Sequence, residues 1–266
     1  MSSISELHHL PRERRDKIRD ILMRNGRVII QDIVQDFAVS EDTVRRDLKE
    51  LESAGLCACV YGGALLVTAH GLDAGQRRGL AVGRKERLGA ALGALIQPGQ
   101  VVFMDAGTTN LAAALHVPDL EDVTVITHDP AIAAALVPFQ NIKLISIGGR
   151  INRAVGAALD AAAMRSIKNV RSDLLILGSC ALDAARGLAA FSFEDAEIKS
   201  VLVENAREVA TGILNEKLYA SAPYGICELS SINTLVLEAD VPGPELEMCK
   251  LNVPKIVLAK PGVTGP

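Results

Sequence analysis

From residue 84 onward, short apolar runs built mainly from Val, Ile and Leu recur at 101–104, 124–127, 143–147, 173–177, 234–237 and 255–259. Most lack the polar alternation of a half-exposed strand. Runs of that kind suit strands covered on both faces, as in a mainly parallel sheet. Helical segments fall between them at 84–96, 109–115, 130–136 and 195–211. Alternation of this sort predicts an α/β domain. Asp129 is a good N-cap, and Pro130 stands at the first helical position, where proline is tolerated.

Composition narrows the class. Of 266 residues, 49% are hydrophobic but only 3% aromatic, with no Trp, so Leu, Ile, Val and Ala must build the core. A net charge of −4 supplies no global positive field for a nucleic acid, which leaves a local basic patch as the only electrostatic route to one. Residues 1–15 are polar, and no run approaches the roughly 20 apolar residues of a membrane span, so a cytoplasmic protein with no membrane partner is expected. The cysteines, at positions 57, 59, 180, 227 and 249, are odd in number and scattered, as reduced thiols are. Cys57 and Cys59 alternate on one face of a strand, but no second ligand pair lies near them, so neither a metal nor a cofactor is expected.

Three zones are predicted: 1–66, a linker at 67–83 with four glycines and the pair Arg77-Arg78, and 84–266. In the first, Ile18, Ile21 and Leu22 mark an amphipathic helix stopped by Asn25-Gly26. A second short helix covers about 31–37. Ser40 caps a third, with Glu41 and Asp42 at its positive start, and the helix ends at Gly55. On this helix Val44, Leu48 and Leu51 form the buried stripe. The opposite face holds Asp42, Arg46 and Lys49, flanked by Thr43 and Arg45. A recognition helix needs such a face, because Arg forks to guanine and Thr meets a phosphate or a thymine methyl. Residues 56–60 and 65–67 flank Tyr61-Gly62-Gly63-Ala64 as a hairpin, the place of a wing. The same pattern also fits a plain three-helix bundle with a solvated charged face.

The string Val39-Ser40-Glu41-Asp42-Thr43-Val44-Arg45-Arg46-Asp47-Leu48, followed by Leu51-Glu52, Gly55 and Gly62-Gly63-Ala64, resembles the N-terminal signature of the DeoR family of bacterial transcription regulators. The likeness reaches back to Arg15, Ile18 and Gly26. It implies that Ser40, Thr43, Arg45, Arg46, Lys49, Tyr61 and Gly62 meet double-stranded operator DNA. Ala58 and Cys59 stand where the family carries basic residues in the wing, and Tyr61 where it carries His.

In the second domain the strand ends carry the chemistry. Asp105-Ala106-Gly107-Thr108-Thr109 pairs close backbone approach with hydroxyl donors, an arrangement suited to an anion, and Asp105 can accept from a ligand hydroxyl. Thr127-His128, Gly148-Gly149 and Gly178-Ser179-Cys180 end three more strands on the same edge, where open parallel sheets bind ligands. Taken singly, each is also an ordinary turn. Their order, with Lys85 opening a helix and Lys199 on an acidic one, resembles the DeoR-family effector domain, which is similar to ribose-5-phosphate isomerase-like folds. That resemblance implies a phosphorylated sugar or related metabolite as effector, with Gly107, Thr108 and Thr109 at the phosphate and Asp105, Glu197 and Lys199 at the sugar. Thr127, His128, Gly148, Gly149 and Lys217 complete the set. Asn215 replaces the Asp of the family's Asp-Ser-Ser-Lys loop.

The expected protein is thus a winged helix-turn-helix joined to a mainly parallel α/β domain. It is a non-enzymatic repressor of a carbohydrate operon, working as a homodimer or homotetramer. A sugar-phosphate isomerase-like enzyme and a regulator with a non-phosphorylated effector are the alternatives.

Overall fold

The computed structural model describes residues 11–25, 27–54, 56–66, 72–183 and 186–260. It divides into two compact units, Met1–Thr68 and Ala69–Pro266. Gly26 and Gly55, the expected stops of two helices, lie outside the described residues.

The first unit runs α1 (Pro11–Asn25), β1 (Arg27–Ile29), α2 (Ile30–Phe37), α3 (Glu41–Ser53), β2 (Cys57–Val60) and β3 (Gly63–Leu66). Ile18 and Leu22 of α1, Ile33 of α2, and Val44, Leu48 and Leu51 of α3 are buried together, as their spacing predicts. Truncating one of them, Leu48→Ala, costs about 2–5 kcal/mol. Ala38 closes α2 in the left-handed region (φ 50°), and the Ser40 hydroxyl then accepts from the Thr43 amide at 3.2 Å to open α3. The short strand β1 is an addition to the predicted hairpin: it pairs antiparallel with β3 and makes the sheet order β1-β3-β2. Gly63 is required at that crossing, because a Cβ would stand 2.0 Å from the Val28 carbonyl oxygen.

The second unit opens with α4 (Ala74–Arg78) and α5 (Val82–Gly93). The predicted linker is therefore corrected over residues 72–83: Ala74 is buried, and its amide donates to the Arg153 carbonyl at 3.4 Å. Residues 67–71 of that linker lie outside the described residues. There follow β4 (Val101–Met104), α6 (Thr108–Ala114), β5 (Val123–Thr127), α7 (Pro130–Leu136), β6 (Ile142–Ser146), the small pair β7 (Ile151–Asn152) and β8 (Ala157–Ala158), and α8 (Ala161–Lys168). Then come β9 (Ser172–Leu177), β10 (Ala181–Asp183), β11 (Gly187–Ala190), α9 (Phe193–Glu204), β12 (Ala206–Ile213), β13 (Tyr224–Cys227), β14 (Thr234–Leu237), α10 (Gly243–Asn252) and β15 (Lys255–Leu258).

Seven strands form one sheet, order β15-β14-β12-β9-β4-β5-β6, with every pairing parallel. Val102, Met104, Leu174 and Ile176 face one core with α5–α7, while Phe103, Leu175 and Leu177 face the other with α8 and α9. Two covered faces explain the unbroken apolar runs. The predicted helix 195–211 is two elements: α9 ends at Glu204, and β12 begins after Asn205. The polar start of β12, where Arg207 and Glu208 are exposed, hides the strand from periodicity.

Candidate functional site

In the first unit, α3 turns Ser40, Arg45, Arg46 and Lys49 to the surface, and Thr43 is half-buried with its hydroxyl 2.8 Å from that of Ser40. Arg45 pairs with Glu41 one turn back, and Arg46 makes no ion pair among the described residues. The back of the helix is fixed by a contact that the apolar stripe does not show. Asp47 is buried and accepts from the Arg14 guanidinium at 2.5 and 3.2 Å, which pins α1 to α3. Arg15 adds a bridge to Glu50 at 2.5 Å. At the hairpin tip Tyr61 is fully exposed, and Gly62 takes φ +80°. Cys57 and Cys59 share the strand face predicted for them. Burial pushes the Cys57 thiol up to about 12, with Cys59 and Glu52 adding to the shift. Among the described residues no cluster of His, Cys, Asp and Glu could hold a metal ion.

In the second unit the chain runs outward from β4 to β6 on one side of the sheet and from β9 to β15 on the other. The switch point therefore lies between β4 and β9, the place where open α/β sheets take ligands. The loops that follow these two strands are 105–107 and 178–180. Asp105 ties them together. Its carboxylate accepts from the Gly178 amide (2.8 Å), the Lys199 ammonium (3.0 Å) and His128 Nε2 (3.0 Å). Burial works against the ionised Asp105, but Lys199 and then His128 outweigh it and hold its pKa below the ordinary value. Burial likewise pulls Lys199 down, yet Asp105 and Asp195 more than reverse this and raise it. His128 Nδ1 meets the Ala158 carbonyl at 2.9 Å, so both ring nitrogens face oxygens.

The expected site residues differ in burial and in partners. Asp105 is fully buried with both oxygens engaged, which ties the loops after β4 and β9 together. Lys199 and His128 are buried beside it. Thr127 is fully buried, and its hydroxyl accepts from the Asp129 amide at 3.1 Å. Glu197 points to solvent. Asp195, four residues before Lys199 and thus on the same face of α9, takes the place expected for it, 2.7 Å from the ammonium. Thr109 is buried against Gly212, while Gly107 and Thr108 stay half-exposed. Gly107 has φ +148° and nothing within 4 Å of where a Cβ would stand. Gly148 and Gly149 are exposed, and Gly149 (φ +150°) lies against Asp160, whose carboxylate accepts from the Arg150 amide at 3.1 Å.

Beside the switch point stands a group of cations that the strand ends alone do not reveal. Lys217 donates to the Ser179 carbonyl at 2.7 Å, and Lys85, buried at the start of α5, donates to the Arg77 carbonyl at 2.6 Å. Burial pulls the Lys85 ammonium down to about 8, with Lys217, Arg77 and Arg84 adding to the fall and Glu216 opposing it. Burial lowers Lys217 too, with Arg77 and Lys199 contributing and Cys180 and Glu216 opposing. The Ser179 hydroxyl is buried and has no hydrogen-bond partner among the described residues. Arg84 clamps the turn that carries Lys217, reaching Glu216 at 2.6 Å and Glu238 at 2.5 Å. Asn215 fits this acidic surrounding: its amide nitrogens meet Glu238 (2.7 Å, backbone) and Asp240 (3.0 Å, side chain), where an Asp side chain would oppose a carboxylate. Sequence reasoning missed Arg77 as a site residue because the Arg77-Arg78 pair sits among glycines and reads as linker.

The profile of the DeoR-like helix-turn-helix domain matches residues 14–70, and that of the DeoR C terminal sensor domain matches residues 81–239. The chain is 32% identical over 203 residues to the HTH-type transcriptional regulator GlpR of Haloferax volcanii, covering 75% of this chain and 79% of that one. It is 26% identical to the glycerol-3-phosphate regulon repressor of Escherichia coli K12 (86% and 92% covered) and 28% identical to the HTH-type transcriptional repressor GlcR of Bacillus subtilis (85% and 88%). Among solved structures, ribose 5-phosphate isomerase A of Methanocaldococcus jannaschii aligns at 13% identity and TM-score 0.38 over 51% of this chain and 54% of its own. The sorbitol operon regulator SorC of Klebsiella pneumoniae aligns at 12% identity and TM-score 0.35 over 92% and 95%. No helix among the described residues is long and apolar enough to cross a membrane. With one profile covering the DNA-binding unit and another most of the sensor unit, the chain belongs to the DeoR family of DNA-binding transcriptional regulators.

Proposed function

We propose that this regulator represses a carbohydrate-metabolism operon and releases it when a phosphorylated sugar or related metabolite binds at the switch point. One observation carries the effector half of this reading. Lys85 and Lys217, with Arg77 nearby, are desolvated cations with mainly carbonyl oxygens for partners, beside a buried Ser179 hydroxyl that has none. Glu216, their acidic neighbour, is already paired with Arg84, so burying these charges is costly and a phosphate would relieve it. Gly107 and Thr108 add a backbone approach and a hydroxyl on the other side of the crevice. The buried Asp105–His128–Lys199–Asp195 set keeps the loops in place; with its groups committed to one another, it favours sensing over turnover. Relatives named as a glycerol-3-phosphate regulon repressor and as a transcriptional repressor support the same direction.

On DNA, Ser40, Thr43, Arg45, Arg46 and Lys49 meet the major groove and its phosphates, and Tyr61-Gly62 at the wing tip meets the neighbouring backbone. Two half-sites call for a homodimer or homotetramer. A gel-shift titration on the upstream region of its own operon, with and without a panel of sugar phosphates, tests the whole reading. A specific complex that a sugar phosphate dissolves is the expected result. A complex that responds only to unphosphorylated sugars refutes the phosphate assignment.

A further inference from the structure

The cation cluster has a second neighbour besides the crevice, the short helix α4. We propose that α4 carries effector occupancy toward the DNA-binding unit, with the Lys85 ammonium as the contact that changes hands. In the free protein it holds the Arg77 carbonyl of α4; in the bound protein it turns to the effector's anion. The inference rests on the anion site proposed above.

Four sets of contacts hold α4, and five residues are too few for a helix to persist without them. Asp73 and Gln76 form a capping box, with the Gln76 amide donating to Asp73 at 2.8 Å. The Arg77 guanidinium donates to the carbonyls of Leu72 (2.7 Å), Ala154 (2.8 Å) and Val155 (3.3 Å), which fastens α4 to the turn between β7 and β8. Ala74 seats against Gly156, where a Cβ would stand 2.6 Å from the Ala74 methyl. From the other side Lys85 reaches the Arg77 carbonyl at 2.6 Å, the same oxygen that accepts from the Leu80 amide at 3.3 Å.

Phosphate offers the Lys85 ammonium a full opposite charge where the Arg77 carbonyl offers only a dipole, so an anion competes well for it. Losing that donor loosens the C-terminal end of α4. The helix is also the first element of its unit. Residues 67–71 are all that separate Leu66, the end of β3, from Leu72. These five residues tether the DNA-binding unit to the start of α4, and a chain spans at most ~3.5 Å per residue.

Inorganic phosphate titrated into the full chain is the direct test. Amide exchange is followed over residues 74–80, and operator binding by gel shift in parallel. Saturating phosphate is expected to speed exchange at Leu80 at least tenfold. Asp73→Ala, which removes the cap of α4 but lies outside the cation cluster, is expected to weaken operator binding at least fivefold without phosphate and, because the coupling is reciprocal, to tighten phosphate binding. Phosphate that raises the melting temperature without altering exchange in 74–80 overturns the relay and leaves the anion site standing. Asp73→Ala with wild-type operator affinity and a wild-type melting curve also overturns it. If phosphate fails to bind, the anion site is refuted and with it the role of Lys85; weakened operator binding by Asp73→Ala would then support α4 alone as the connecting element.

Discussion

Both units bury an aspartate against a cation, and they use it differently. In the DNA-binding unit Asp47 meets Arg14, and the exposed cations Arg45, Arg46 and Lys49 stand apart from that pair in water. In the sensor unit Asp105 meets Lys199 and His128, and the neighbouring cations Lys85 and Lys217 are themselves desolvated. DNA presents a long run of phosphates, so hydrated side chains suffice and binding follows salt. A small metabolite offers one or two charges. A site for it gains selectivity by holding its cations in a poorly solvated crevice, at a cost to the empty protein.

The sharpest break of this comparison is expected at the buried aspartates. Asp105→Ala strands Lys199 beside Asp195 and parts the loops after β4 and β9. It should cost the sensor unit about 3–5 kcal/mol, seen as a lowered melting transition with the N-terminal unit's fold intact by chemical shift. A wild-type melting temperature would refute the organising role of Asp105. Next in size is Arg46→Ala. It should weaken operator binding by about 1–3 kcal/mol, or roughly fivefold to 150-fold, without altering effector affinity, as measured by gel shift and calorimetry.

The third prediction concerns pH. Lys85 holds its proton only to about pH 8 in the folded chain, against 10.5 ordinarily. Below pH 8 both folded and unfolded chains carry the charge, and the full cost of burying it is present. Between 8 and 10.5 the unfolded chain binds more protons, so this residue's contribution to stability rises with pH across that window. Effector affinity should move the other way and fall above pH about 8, because the anion needs the ammonium. Binding near pH 8.5 should take up protons, measurable by calorimetry in buffers of different ionisation enthalpy. Lys85→Met should remove both effects. The smallest effect is expected in the wing. Ala58→Lys should strengthen operator binding a fewfold and steepen its salt dependence by about one phosphate contact, visible in the slope of log affinity against log salt.

Much of this was legible in the residues. The α3 stripe of Val44, Leu48 and Leu51, the Ser40 cap and the Asp129-Pro130 helix start follow local rules and stand in the structure as expected. The unbroken apolar runs announced six of the seven strands of the parallel sheet, while β12 was lost because its polar first residues continue the helical pattern of α9 without a glycine or proline between them. In the effector crevice the small residues at strand ends were visible, since each ends a run. Asp195, exchanged for Glu197, was not, because helical phase decides which acid faces Lys199 and the apolar content of α9 leaves that phase ambiguous.

By itself the sequence determined six of the seven parallel strands, the caps of α3 and α7 and the face of α3 that meets solvent, because those depend on period, caps and neighbours a few residues apart. Tertiary structure decided which buried charged groups neutralise one another and which are held mainly by carbonyl oxygens. Asp105 and Lys199, 94 positions apart, neutralise each other at 3.0 Å. Lys85 and Lys217 come together with Arg77 only because α4, α5 and the turn after β12 converge on the sheet's switch point. Desolvation and charge pairing arise from those distant contacts, and no local pattern encodes them.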